Sequence, residues 1–389
     1  MSALVTAKAS ELVPWMQDHT AAMCELTRRL VEIESPTGDA AGVGRALAVI
    51  EAELVRLGFH VRSLAGPGGG HLLAMPAARQ RKLPPQLLMG HIDTVWPRGT
   101  AETMPLRADG GRLFGPGVLD MKGGLVQMLF ALEALHALGI PPGTTPVVFV
   151  NSDEEIGSPD SSRHVRRLAR AAARAFVMEP ADGPRGAIKT ARKGVGKFSI
   201  MVHGRAAHAG LRPDEGASAI LEMSHLVQGL FELNAPERGI TVNVGTLDGG
   251  LGANVVAPQV VAQVDVRTWT AADAEEVERL IRGLSPRDPR CAIEVSGGFG
   301  RPPMEPTDRN EALWRRAMGV ARELSIEIEQ ASVGGGSDAN TTSRYTATLD
   351  GLGAVGQGAH AADEQLVIFH MPERAALLAG LLASPLEAQ

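Results

Sequence analysis

The run Pro146-Val147-Val148-Phe149-Val150 is apolar at every position, and the carboxylates Asp153, Glu154 and Glu155 follow it almost at once. A strand without a polar face must be covered on both sides, the situation of a parallel strand inside an α/β sheet. The neighbouring segments have the rhythm such a sheet needs. HLLAM and QLLMG read as short strands. Leu125, Met128, Leu129, Leu132, Leu135 and Leu138 mark one face of a helix, SSRHVRRLARAAA reads as another helix and AFVM as another strand. Upstream, Met23, Leu26, Leu30 and Ile33 recur at helical spacing, SPTGD interrupts the pattern, and GVGRALAVIEAELVRLGF forms a second amphipathic helix ending at Gly58. This alternation predicts a sheet wound with helices, the α/β class.

From about residue 190 the order changes. GKFSIMV reads as a strand, and Ile220, Met223, Val227, Leu230 and Phe231 mark a helix. ITVNVGTL and VVAQVDVR are strands, AEEVERLIRGL a helix and CAIEVS a strand. The order β-α-β-β-α-β is that of a ferredoxin-like sandwich. Helix EALWRRAMGVARELS and a glycine-rich tail then restore the first pattern. The expected organisation is a catalytic domain in two parts, residues 1–189 and 299–389, interrupted by an inserted α+β domain, residues 190–298.

Composition narrows the chemistry. Aromatic residues make up 4%, the formal net charge is −6 and there is no long Lys/Arg run. Neither a stacking platform for nucleic acid nor a polybasic membrane contact is expected. The two cysteines, Cys24 and Cys291, lie far apart, which implies no disulfide framework and fits a reducing compartment. The opening MSALVTAKASELVPWMQDH has no apolar core of signal-peptide length, and no apolar stretch is long enough to cross a bilayer. A cytoplasmic protein is expected.

Polar groups close the expected strands. QLLMG leads to His91 and Asp93, GPGVLD ends at Asp120 before a helix, PVVFV leads to Glu154 and Glu155, AFVM to Glu179, and TLDGLGAVGQGAH ends at His360. Sites in open α/β sheets form outside the carboxyl ends of the strands, so these segments deliver His, Asp, Glu, Glu and His to one rim. Singly, each is weak. A lone histidine is usually a core or surface residue, adjacent glutamates usually begin a solvated helix, and Gly115, Gly117, Gly123 and Gly124 could be turns only. Their convergence points to chemistry. Histidines and carboxylates without cysteine suit zinc, cobalt or manganese. Two metals about 3.5–4 Å apart need a shared carboxylate, for which Asp120 is the best candidate. One of the adjacent glutamates can ligate while the other stays free as a base, and Asp93 suits a hydrogen bond from the non-ligating nitrogen of His91.

GHIDTV, GPGVLDMKGG, NSDEEIGS, MEP, AAHAG and the terminal GAH, in this order, resemble the dinuclear zinc metallopeptidase family of aminoacylase, carboxypeptidase G and succinyl-diaminopimelate desuccinylase, from about residue 25 onward. RKGVGKF, GGGSDAN and TLDGLG most resemble the glutamate carboxypeptidases of the carboxypeptidase G type. The resemblance implies a zinc-exopeptidase-like catalytic domain with an inserted ferredoxin-like dimerisation domain. It implies two zinc ions per subunit, Co2+ or Mn2+ being possible substitutes. Asp120 would bridge them, with His91 and Glu179 on one and Glu155 and His360 on the other. Glu154 would be the general base, Asp93 would orient His91, and the Asp120–Met121 peptide would be cis. In the inserted domain the resemblance implies that His208, in AAHAG, reaches the active site of the partner subunit in a homodimer and stabilises the oxyanion. Asn254, Arg267, Arg301 and the loop around Gly335 would contact substrate. Plainer readings stand beside these: Arg267 could be solvated, Arg301 could pair with an acidic surface residue, and Gly334–Gly336 could be a turn. One departure is SRYTATLDG, where related chains often have a Gly-x-Pro turn before TLDGLG.

The activity so implied is hydrolysis of the amide bond to a C-terminal amino acid, with glutamate the candidate, by a metal-bridging water and Glu154. An N-acyl-amino-acid deacylase of the acetylornithine deacetylase or desuccinylase type is the alternative, and a non-catalytic binding protein a remote one. The partner in either enzyme reading is a small N-acyl or peptidyl amino acid.

Overall fold

The computed structural model describes residues 10–79 and 82–386; residues 1–9, which open the segment read for a leader, lie outside it. Among the described residues the chain forms two compact units. One takes in the described residues of 10–190, Pro306–Val333 and residues 337–386, the other Ala191–Glu305 with Gly334–Gly336. Side-chain periodicity ends the inserted segment at residue 298, but backbone pairing carries it further. Gly297 and Gly298 have no side chain to signal a strand, yet Ala292–Arg301 stays paired with Gly194–His203 to its end.

The first unit is built on a six-stranded sheet in the order Phe59–Leu64, His71–Pro76, Pro146–Asn151, Gln86–His91, Arg174–Val177, Ala347–Leu349. The last four run parallel. Every residue of Pro146–Asn151 and of Gln86–His91 is buried, the two-sided cover that an all-apolar run requires. The strand Phe59–Leu64 is an antiparallel edge with mostly exposed or half-buried positions, so FHVRSL carries little apolar signal. Leu125 to Leu138 read as one apolar face, but the helix Gly123–Ala137 is buried almost all round. It packs against the sheet and against the helices Leu12–Asp18, Thr20–Val31 and His370–Ala383, the position of an interior helix.

A small sheet of two- and three-residue strands joins Gly356–Gln357, Gln365–Val367, Arg112–Phe114 and Arg107–Asp109. Such short strands leave no period to read. Its pairing of Phe114 with Gln365 ties the segment before Asp120 to the segment after His360.

The second unit is an antiparallel sheet in the order Thr241–Gly249, Gln259–Thr268, Gly194–His203, Ala292–Arg301. Helices Ala219–Phe231 and Ala271–Arg282 pack on it around a separate core that includes Phe198, Ile200, Leu230, Val264 and Ile281. This is the ferredoxin-like order. Among the described residues no helix is long and apolar enough to cross a membrane.

Gly124 shows how tightly the first unit is closed: a Cβ there would lie 2.2 Å from the carbonyl oxygen of Met178. Gly124→Ala should therefore lower stability by about 1–3 kcal/mol, the usual cost of overpacking. Gly44→Ala should raise it by about 0.5–1 kcal/mol, because that helical glycine has nothing within 4 Å of its added carbon. Denaturant melts of the two variants should move in opposite directions.

Candidate metal centre and active site

The strand Gln86–His91 ends on a buried histidine held from behind. His91 Nδ1 lies 2.9 Å from the main-chain oxygen of Asp93, so Nδ1 carries a proton and Nε2 is the nitrogen turned toward the carboxylates. That nitrogen lies 3.1 Å from Asp120 Oδ1 and 3.7 Å from Glu179 Oε1. Opposite, His360 Nε2 lies 3.5 Å from Asp120 Oδ2 and 3.2 Å from Glu155 Oε2. The two oxygens of one carboxylate thus face two different histidines. His91, Asp120 and Glu179 bring donor atoms within 4.8 Å of one another, and Asp120, Glu155 and His360 do the same.

The backbone around these groups is unusual. Gly117 has φ 74°, and a Cβ there would lie 2.6 Å from Thr94 Cγ2, so only glycine fits the turn before Asp120. The Asp120–Met121 peptide is cis. His360 itself sits at φ 62°, a left-handed conformation that few non-glycine residues adopt.

Three carboxylates meet two imidazoles here, and their titration reflects it. Burial alone would push the His91 imidazole down, but Asp120 and Asp93 hold it well above its ordinary range. Asp120 and Glu155 push His360 up to about 10. Asp120 is half-buried, and its loss of solvent would raise its carboxyl, yet His360 and His91 hold it well below the usual carboxylate range. A field of this sign favours cations. Glu155 Oε1 is moreover buried without a hydrogen-bond partner among the described residues, and a cation would satisfy it. The nitrogen and oxygen donors suit zinc, cobalt or manganese.

Asp93 departs from expectation in its contacts. Its carboxylate is 3.5 Å from His91 Nδ1, farther than its main-chain oxygen. It instead accepts from the Thr37 hydroxyl at 2.7 Å and from the backbone N–H groups of Glu154 and Glu155 at 3.3 Å each. The carbonyl orients the imidazole, and the carboxylate ties its loop to the glutamate turn. Thr37 lies in SPTGD, where the sequence shows only a break in a helical pattern.

Glu154–Ile156 is a single 3-10 turn, not the start of a longer helix. Glu154 is half-buried and the Glu155 side chain is 6% exposed, so Glu155 is not a solvated helix-start residue. The turn rests on a buried polar layer. Asn151 Nδ2 and Ser158 Oγ each donate to Asp338 at 2.6 Å, and Asp153 accepts from the N–H groups of Asp160 and Ser161.

The second unit carries the other candidate residues in two places. His208 is exposed, and its Nδ1 accepts from the N–H groups of Gly210 and Leu211 at 3.2 Å, which leaves the ring proton on Nε2. Ala209 N donates to the main-chain oxygen of Asn254, so the AAHAG and GANVV loops are neighbours. At one end of the sheet, Arg267 and Arg301 both pair with Val195, from either side. Arg267 forks onto Asp265 at 2.8 and 3.0 Å, and its Nη1 lies 3.5 Å from the Gly334 oxygen. It is neither free in solvent nor unpaired. Arg301 is buried, not a surface partner. Gly335 offers its carbonyl to Arg192 Nη1 at 3.0 Å. Arg192 precedes KGVGKF, and its charge inside a strand was the signal available for it.

Residues 87–384 match peptidase family M20/M25/M40. The chain belongs to this family. It is a hydrolase of the metallopeptidase and amidohydrolase type. It is 27% identical over 389 aligned residues to carboxypeptidase G2 of Pseudomonas sp. strain RS-16, covering 98% of this chain and 93% of that protein. It is 28% identical over 369 residues to the N-acetyl-L-citrulline deacetylase of Xanthomonas campestris pv. campestris, covering 90% and 94%. Its fold resembles the YXEP protein of Bacillus subtilis, a dinuclear metal binding peptidase of the M20 family, with a TM-score of 0.67 and 16% identity over 94% of this chain and 98% of that one.

Asp338 accepts from two donors aimed at a carboxylate. Asp338→Asn can keep its oxygen on Asn151 Nδ2, but it replaces the charge-assisted bond from Ser158 Oγ with a neutral one in which the hydroxyl must accept from the new amide. The loss should be about 1–3 kcal/mol by denaturant melting, whereas the same change at exposed Asp109 should be close to neutral.

Proposed function

We propose that the chain is a two-zinc carboxypeptidase that hydrolyses the amide bond to a C-terminal amino acid, glutamate being the first candidate. The observation that carries this reading is the Asp120 carboxylate divided between His91 and His360, the arrangement two neighbouring divalent ions would share. His91, Asp120 and Glu179 would hold one ion, and Asp120, Glu155 and His360 the other. When bound, such a pair supplies a water of near-neutral pKa and a Lewis acid for the scissile carbonyl.

The remaining steps belong to side chains. Glu154 takes the proton of the attacking water and passes it to the leaving nitrogen, so the amine departs neutral. Asp93 fixes the turn that carries Glu154 by accepting its backbone N–H. His208, with its proton on Nε2, donates to the oxyanion that develops on the carbonyl in the partner subunit's site. Arg267, Arg301 and the loop at Gly335 receive the substrate's free carboxylate, since a forked guanidinium matches its two oxygens. Asn254 is a further polar contact. The full-length similarity to carboxypeptidase G2 supports this assignment of the substrate end.

A second reading, an N-acyl-amino-acid deacylase, is favoured by the similarity to N-acetyl-L-citrulline deacetylase. Both reactions release a free amino acid. A screen of acyl and peptidyl glutamates and of other N-blocked amino acids with added zinc separates them by which bond is cut. Amidation of the substrate's free carboxylate should lower kcat/KM about tenfold to more than a hundredfold, the worth of a charged hydrogen bond. Equal rates on acid and amide would exclude the carboxypeptidase reading.

The adjacent glutamates should behave differently. Glu154→Gln should keep both metals and lose about 10²–10⁴ in rate, because an amide keeps the shape but cannot take a proton. Glu155→Gln should lose metal at one site. Zinc content measured beside turnover decides, and the reverse pattern would exchange the two roles.

A homodimer fits the exposed apolar side chains of the second unit: Ile220 and Leu221 on a helix, Leu247 on the edge strand and Leu251 just beyond it. His208→Ala should lower kcat about 10²–10³ with metal content unchanged. Mixing His208→Ala chains with Glu154→Gln chains should restore one working site per mixed dimer. No recovery in verified mixed dimers would place His208 in its own subunit's chemistry.

A further inference from the structure

Glu364, four residues beyond His360, takes no part in the steps above. It is 0% exposed, and its carboxylate is saturated by donors from two other segments. Oε2 accepts from Trp96 Nε1 and from the Gly117 N–H, both at 2.8 Å. Oε1 accepts from the N–H groups of Leu119 at 2.9 Å and Asp120 at 3.0 Å. Its main-chain oxygen also accepts from Gly115 N at 3.2 Å. One side chain on the His360 loop therefore holds the whole approach to Asp120, including the N–H of Asp120 itself.

Each oxygen faces two donors, so only an ionised carboxylate fits. A glutamine has one acceptor oxygen, and whichever way its amide turns, its NH2 meets two N–H groups. Backbone N–H bonds to a carboxylate are among the stronger hydrogen bonds. Asp120 contributes to both donor groups, so a shift of its backbone would disturb both, whereas loss of His91 or His360 would disturb one.

We propose that Glu364 is a positioning residue that fixes the Asp120 backbone against the His360 loop and so sets the geometry of both metal groups together. This rests on the two-metal reading above. Zinc titration against a competing chelator, with the absorption spectrum of the cobalt-loaded protein beside it, tests the proposal without reference to turnover. The wild-type chain should bind two ions; fewer than two would end the two-metal reading before any variant is made. Glu364→Gln should weaken both ions about 10–100-fold, the usual effect of losing a group that orients metal ligands, and should change the cobalt spectrum. Trp96→Phe removes one donor and leaves the other three, and should weaken both ions by less. Glu222→Gln is the control. Glu222 is a buried carboxylate in the second unit that also accepts two backbone N–H groups, from Arg287 and Asp288. Its substitution should lower thermal stability and leave zinc affinity unchanged. Glu364→Gln with unaltered affinities, with only one ion weakened, or with an effect that Glu222→Gln reproduces would overturn the proposal. Should Glu364→Gln fail to fold, an unaltered zinc affinity in Trp96→Phe would overturn it alone.

Discussion

One carboxylate placed between two imidazoles is a demanding arrangement. The Asp120 side chain keeps only 14% of its surface in water, and a charge so placed is costly unless partners meet it at close range. His91 and His360 do so from opposite sides. The sheet makes this possible. Parallel strands end at the same edge, so His91, the glutamate turn and Glu179 leave it side by side. The helix Gly123–Ala137 starts directly after Asp120, and Gly124 lets its first turn press against the carbonyl of Met178, the residue before Glu179. Gly353 approaches the same oxygen, where a Cβ would lie 2.1 Å away. Two glycines on one carbonyl bring three ligand-bearing loops within reach of each other.

Beneath that edge lies a layer of buried polar groups that keeps the loops from drifting. Ser337 donates to Asp350 at 2.7 Å, while its neighbour Asp338 receives Asn151 and Ser158. Arg374 is buried, and burial lowers its guanidinium to about 10. It donates to three carbonyls, those of Gly186, Gly351 and Gly353. A rigid fork spanning three carbonyls fixes the TLDGLG segment, which leads to His360, more tightly than a flexible cation would. These groups stabilise the fold less by their number than by leaving each loop a single satisfied conformation.

Much of this was legible in sequence, for a physical reason. A strand buried on both faces must be apolar throughout, and a ligand at its end must be polar, so PVVFV followed by carboxylates and QLLMG followed by His91 state both facts at once. The same reasoning fails where backbone atoms do the holding. Asp93 orients His91 through its carbonyl, which any residue possesses. FHVRSL and the two-residue strand Gly356–Gln357 are held by pairing, not by apolar period. The helix after Asp120 shows one face in its leucines but is buried almost all round, because Val126, Gln127, Phe130 and Ala131 are covered on its other faces. Thr37, Arg192 and Glu364 act on partners 56, 143 and 244 or more residues away in the chain, and no local pattern encodes such a distance.

The metal-binding candidates belong to the first unit, where sheet, glycines and buried carboxylates over-determine their positions. The residues proposed to read the substrate belong to the second unit. His208 and Asn254 lie on exposed loops. Arg267 is already forked onto Asp265, so a substrate carboxylate taken up there, as proposed, would compete with an internal one for the same donors. Specificity is a difference between affinities. On the reading proposed above, an incoming carboxylate would gain from Arg267 only the difference between its own hold and that of Asp265. Family membership fixes the class of reaction, a hydrolysis. On the proposed reading, the released amino acid would be chosen by a balance among paired charges in the second unit, one that small changes there would tilt.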